Sequence, residues 1–253
     1  MAVGFGASDE AQAPATNELT IPLTPSGSDR ALYVGLTPLD GEWDMAGVSG
    51  DFNGDDVPLF IDDTFQANRK IKVFRLVNPD AVSANVHLVW SGNQAAAAIA
   101  FWLTGVDQGN PDDAEVGSDG SGGGTGSTLD VTSETGDMAV DFIVSGNGIT
   151  GLSATAGGQT EIEQMTGGNA NSLGASYRAG QATTTMSWSW TGFVTYRGIG
   201  WNVNAATGGG GGGGSRVLYA RRRRYADVHR WSSGIIARPS DRDVELVGRR
   251  RAA

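Results

Sequence analysis

Seven consecutive glycines at positions 208–214 set the first limit on how this 253-residue chain can fold. Glycine has no side chain to bury and the most backbone freedom to lose, so such a run neither propagates a helix nor packs as a strand. It is a flexible tether, averaging about 15 Å end to end as a coil and reaching roughly 23–25 Å when fully extended. Whatever precedes it must close its own core. Whatever follows it is a separate physical problem.

The charges divide at the same place. Of the 18 Lys and Arg residues, seven precede the run and eleven, all Arg, follow it. Of the 28 acidic residues, 24 precede it and four follow. The first segment therefore carries −17 and the last +7. An acidic body is joined to a basic arm, and any function has to use that asymmetry.

The body reads as strands. Thr184-Met186-Trp188-Trp190 is set against Thr185, Ser187 and Ser189, with large groups on one face and hydroxyls on the other. That alternation is the mark of a half-solvated sheet. Residues 31–36 (ALYVGL) are continuously apolar, as in a strand covered on both faces. Further strand patterns fall at 19–23, 57–61, 70–77, 86–90, 129–131, 138–144, 161–165, 173–177 and 194–203. In 86–90, His87 points opposite Val86 and Leu88. Residues 95–103 (AAAAIAFWL) have the composition of a helix but only nine residues between glycine-bearing breaks, so they read as a central strand with a close neighbour. Residues 107–128 read as a long Gly/Asp/Ser loop. With no βαβ rhythm, the expected fold is an all-β, jelly-roll-like antiparallel β-sandwich at 17–207. An extended lead-in at 1–16 precedes it, and a polyglycine linker (208–214) and an Arg-rich arm (215–253) follow.

Chemistry is sparse. The chain has no cysteine, which excludes a disulfide framework, thiol catalysis and Cys-ligated zinc. Its two histidines, His87 and His229, lie far apart in sequence, with no nucleophile motif beside either. The 120–126 glycines lack the lysine and helix of a phosphate loop. The expectation is a non-enzymatic protein without a cofactor. Asp51, Asn53, Asp55 and Asp62 have calcium-loop spacing, yet Asp56 stands where the turn needs glycine, and a hairpin turn at Asn53-Gly54 accounts for the same residues. The acidic stretch holding Asp107, Asp112, Asp113, Glu115 and Asp119 reads as a solvated loop, with cation binding as the alternative. Trp188, Trp190 and Trp201 read as core, with sugar stacking as the alternative.

In the arm, Arg216, Arg221, Arg222, Arg223, Arg224 and Arg230 are interleaved with Tyr219, Tyr225 and Trp231. Guanidinium groups and rings suit phosphate and bases, but they suit an acidic protein surface equally well. A −17 body repels nucleic acid, so protein docking is the preferred reading. The N-terminus has neither the basic nor the apolar region of a secretory signal, and no apolar run is long enough to span a bilayer. A soluble product with no membrane partner is expected.

Several blocks, taken in order, resemble a known domain: GSDRALYVGL (27–36), FRLVNP (74–79), FWLTGVDQGNP (101–111), TGDMAVDFIV (135–144), GQT (158–160) and GASYRAGQATTTMSW (174–188). They are similar to a β-sandwich domain of tailed-phage virion surface proteins, over residues 17–206 and none of the arm. The resemblance implies a virion location, as a capsid decoration or tail or fibre subunit, and no catalytic residues. The expected partners are other virion proteins, with the arm on an acidic capsid or tail surface, in a homo-oligomer such as a trimer. The alternative is a carbohydrate- or host-receptor-binding module of a tail fibre or secreted surface protein, recognising a host glycan.

Overall fold

Three antiparallel sheets account for the body, and their order follows from which strands have two apolar faces. The structure is a computed structural model, and it describes residues 1–207 apart from 40–42, 44, 67–68, 121–122, 147 and 167–170. All the described residues belong to the first of two units, Met1–Gly211. Among them the chain forms β1 (Gly4–Leu23), β2 (Ala31–Pro38), β3 (Ser49–Phe52), β4 (Asp55–Asp56), β5 (Leu59–Gln66), β6 (Arg69–Val77) and β7 (Ala84–Thr104). The second half gives β8 (Val116–Asp119), β9 (Gly124–Val131), β10 (Met138–Ser145), β11 (Thr150–Ala154), β12 (Thr160–Met165), β13 (Ser172–Ala179), β14 (Thr184–Val194) and β15 (Tyr196–Val203).

The first sheet runs β4-β3-β7-β2-β6-β5, with β1 on the other edge of β7. The second runs β12-β13-β10-β15-β8, and the third β11-β14-β9. The all-β antiparallel sandwich expected from the sequence is what forms, with the third sheet as an added layer. The first two sheets enclose one core, in which Tyr33, Phe101, Phe142 and Trp201 meet. Phe142 and Trp201 stack with ring centroids 5.9 Å apart, and Tyr33 lies 5.5 Å from Trp201. The outer face of the second sheet packs on the third through Ile143, Trp188 and Trp190. A further cluster there joins Leu129, Ala139 and Met186. Every residue of β2 and of β10 is consequently buried.

Three regions differ from the sequence reading. Residues 1–16 are extended but not loose: β1 pairs with β7 from Gly4↔Thr104 to Leu23↔Ala84, through bulges near Ala13 and Thr16. The pairing needs no hydrophobic alternation, because backbone hydrogen bonds and the small Ala11, Ala13, Ala96 and Ala98 let the strands approach. The 86–90 and 95–103 segments are one strand, β7, which passes through Gly92 at φ 80°. The first half of β7 pairs with β3 and the second with β2. Leu88 and Trp90 thus join the same core as Leu32, Val34 and Trp102, so the first sheet curls over its own outer face. The 107–128 stretch is likewise not all loop, since β8 and the start of β9 lie in it.

Two glycines are set by geometry. Gly54 (φ 85°) follows Asn53 (φ 55°) in the β3–β4 hairpin, the positive-φ pair that such a turn requires. At Gly35, a Cβ would fall 2.4 Å from a ring carbon of Phe142. The absent side chain lets the two sheets close on that ring.

Phe142→Ala should lower unfolding free energy by about 3–5 kcal/mol, as for other buried Phe deletions. Phe193→Ala, at a side chain 73% exposed, should change it by less than about 0.5 kcal/mol. Denaturant unfolding of the two variants checks both.

Candidate functional site

The two ends of the described chain meet at one pole of the body. The Met1 ammonium donates to the Ala206 carbonyl at 2.9 Å, and Val3 N–H donates to the Gly136 carbonyl at 2.8 Å. Ala206 N–H donates to Gly105 O at 2.7 Å, and Asn204 N–H to Pro111 O at 2.8 Å. The 105–113, 132–137 and 204–207 segments are laced together by these bonds. Between them lies a cleft of about 350 Å³ whose polar lining includes Asp107, Asn110, Asp113, Glu134, Asp137 and Asn204.

β15 positions the amides. Ile199, Trp201 and Val203 point into the main core, so the alternate residue Asn202 points the other way, and Asn204 follows on that side. Asn202 Nδ2 donates toward Asp137 Oδ2 (2.9 Å), Asp113 Oδ2 (3.1 Å) and Asn204 Oδ1 (2.8 Å). Asn204 Nδ2 donates to Asn110 O at 3.0 Å and Asp113 Oδ1 at 3.2 Å, and Ala205 N–H donates to Asp137 Oδ1 at 2.8 Å. Asn202 Oδ1 is buried without a partner, and so is Ser133 Oγ, whose residue lines the cleft.

The acidic stretch of the sequence is split by the fold. Asp113 joins Asp137 from another segment. Asp112 turns inward, where its carboxylate accepts from Tyr33 Oη and pairs with Arg75. Burial pushes the Asp112 carboxyl above its ordinary pKa against the opposing pull of Tyr33 and Arg75, and burial likewise raises Tyr33. Asp107 caps its own turn by accepting from Gly109 N–H at 2.8 Å. Glu115 is exposed and Asp119 lies in β8.

The calcium-loop residues are engaged separately. Asp51 Oδ2 lies 3.3 Å from His87 Nδ1, Asn53 Nδ2 donates to Asp80 at 3.0 Å, and Lys72 Nζ pairs with Asp62 at 3.0 Å. Asp55 sits in β4 after the hairpin turn. Among the described residues no three His, Cys, Asp or Glu side chains are grouped to hold a metal. The hairpin reading of Asn53-Gly54 stands in the structure. Trp188 (3% exposed), Trp190 (5%) and Trp201 (0%) are core residues. Arg216, Tyr219, Arg221, Arg222, Arg223, Arg224, Tyr225, Arg230 and Trp231 lie outside the described residues.

The sequence reading gave no partners to two titratable groups, Asp141 and His87. Asp141, on β10 between the second and third sheets, accepts from Ser176 Oγ and from Trp188 Nε1 at 2.8 Å. Gln159 Nε2 donates to Ser176 Oγ at 2.6 Å and its Oε1 accepts from Ser187 N–H at 2.9 Å, which extends the network. Burial raises the Asp141 pKa from 3.8 to about 7, although its hydrogen bonds oppose the shift. His87 lies between Glu18 (Nε2–Oε2 3.1 Å) and Asp51, tying β1 and β3 across β7. The Glu18 hydrogen bond is the largest cause raising its pKa above 6.5.

Asp141 binds its proton more tightly folded than unfolded, so its contribution to stability is full below about pH 4 and is lost as pH rises through 7. Asp141→Asn, which does not titrate, should flatten that part of the profile in thermal melts between pH 4 and 7. For His87 the folded pKa is also raised, so its contribution is full below 6.5 and lost as pH passes the folded value. Glu18→Gln should move the His87 pKa, read by NMR titration, back toward 6.5. No protein-family model, curated protein or solved structure matches the chain.

Proposed function

We propose that this chain is a non-enzymatic structural component of a tailed-phage particle. Its body is displayed on the virion surface, as a capsid decoration or a tail or fibre subunit, and its Arg-rich arm holds it there. The observation that carries this reading is the charge partition at the glycine run, −17 before it and +7 after it. An acidic displayed domain stays soluble and repels its neighbours. Eleven arginines after the tether, with their flat bidentate forks, fit carboxylates on an acidic protein surface.

The body supports the assignment in two ways. Its cores close among its own strands, with Trp201, Tyr33, Phe52 and Phe142 fully buried. Its N-terminus and Ala206 are hydrogen-bonded neighbours, so the chain heads into the glycine run from the pole that carries Met1. A domain whose two ends share one pole leaves the rest of its surface free for display. In a homo-oligomer such as a trimer, several arms act together and multiply weak contacts.

The glycan-binding alternative loses the aromatic platform suggested by the sequence, because Trp188, Trp190 and Trp201 are in the core. Deletion of 208–253 should abolish incorporation into purified particles while the truncated body keeps the β-rich circular dichroism and cooperative melt of the full chain. Undiminished incorporation of the truncated chain would refute the anchoring assignment.

A further inference from the structure

We infer that Asn53-Gly54, at the tip of the β3–β4 hairpin, is a modification site at which Asn53 deamidates, without an enzyme, to aspartate and isoaspartate. Among the described residues no other asparagine precedes a glycine. The reaction requires the main-chain nitrogen of the following residue to reach the asparagine Cγ. Gly54 has no side chain to screen that nitrogen, and its backbone freedom lets the nitrogen swing onto Cγ. A Cβ added at Gly54 would meet nothing within 4 Å, so the tip stands in open space. The ladder below it pairs Phe52 with Asp55 and Asp51 with Asp56, which leaves the Gly54 N–H outside the ladder.

One contact restrains the reaction. Asn53 Nδ2 donates to Asp80 Oδ2 at 3.0 Å, and attack has to wait until that bond breaks and the turn opens. Both partners are exposed, and β4 has only two residues, both exposed. So short and solvated a ladder opens locally at little cost. Water is the only co-reactant. The Gly54 nitrogen gives its proton to hydroxide and bonds to Asn53 Cγ, the Cγ–Nδ2 bond breaks, and ammonia leaves with a proton taken from water. Water then opens the cyclic imide at one carbonyl or the other, giving aspartate or isoaspartate.

Either product sets a carboxylate against Asp80 where an amide donor stood, so an attraction becomes a repulsion. Isoaspartate also adds a carbon to the main chain, which a two-residue turn cannot absorb while keeping Phe52 opposite Asp55. Phe52 is fully buried and sits in the core with Leu88 and Trp90, on the strand that pairs with β7. A change at the tip therefore loosens one edge of the first sheet. This inference does not depend on the virion assignment.

The test is incubation of the full chain in mildly alkaline buffer, followed by peptide mass spectrometry and enzymatic methylation of isoaspartate. Conversion at Asn53 should outpace that at Asn17, Asn85 and Asn93, which are exposed but precede Glu18, Val86 and Gln94. Asp80→Ala, at an exposed position, should speed conversion severalfold by removing the restraint on the amide. Asn53→Asp, one of the two products, should melt below the parent, and circular dichroism confirms that both variants are folded. Conversion at Asn53 no faster than at the other three asparagines would overturn the site. An unchanged rate in folded Asp80→Ala would overturn the restraint, and an unchanged melt in Asn53→Asp would overturn the loosening of the edge.

Discussion

The fold depends on one strand having no solvent face. Each of the eight residues of β10 is buried, with Val140, Phe142 and Val144 turned to the first sheet and Ala139 and Ile143 to the third. Its register is fixed on both sides, by Phe142↔Ala175 on β13 and Phe142↔Ile199 on β15. A slip of one residue would exchange the faces. Asp141 would then enter the aromatic core around Trp201, and Phe142 would be driven against Trp188. Double burial thus makes the strand the most strongly specified element of the body. It also explains why the carboxyl it carries must find Ser176 and Trp188 as partners.

The ion pairs close the edges around that strand. Arg197 Nε donates to Asp63 at 2.7 Å, linking β15 of the second sheet to β5 of the first. Arg75 holds Asp112 with its guanidinium 4.7 Å above the Phe60 ring, which fastens the 105–113 segment over the same junction. The two lysines, Lys70 and Lys72, are buried as well, and Lys70 Nζ donates to Trp43 O at 3.0 Å. With so few cations in the body, each described one near the sheet junction is committed to structure.

Much of this was legible in the residues. The Thr184–Trp190 alternation and the unbroken 31–36 run gave half-solvated and doubly covered strands, because side-chain period reports burial directly. The end of β1 was legible at 19–23, but its first part, residues 4–16, was not, since its small polar residues carry no period and its pairing rests on backbone groups and on alanines distant in sequence. β7 read as two strands because Gly92 looks like a boundary locally, while continuity there depends on β1 running alongside. At the pole, the acid-rich 107–119 composition flagged the region but not the arrangement. Asp112 and Asp113 are adjacent yet face opposite environments, and Asp137 arrives from another segment. The one local signal that went unread was the Asn202-x-Asn204 spacing at the end of β15, which puts two amides on one side.

On the proposed reading, display and anchoring divide at the glycine run: a body that buries its own faces precedes it, and a segment of opposite charge follows. Electron microscopy of intact particles, with the body located by its β-sandwich density, tests this division most directly. The body is predicted on the outer surface, joined through a narrow tether to an acidic patch of the underlying shell or tail. Particles that lack the body, or that hold it inside against nucleic acid, would contradict the assignment.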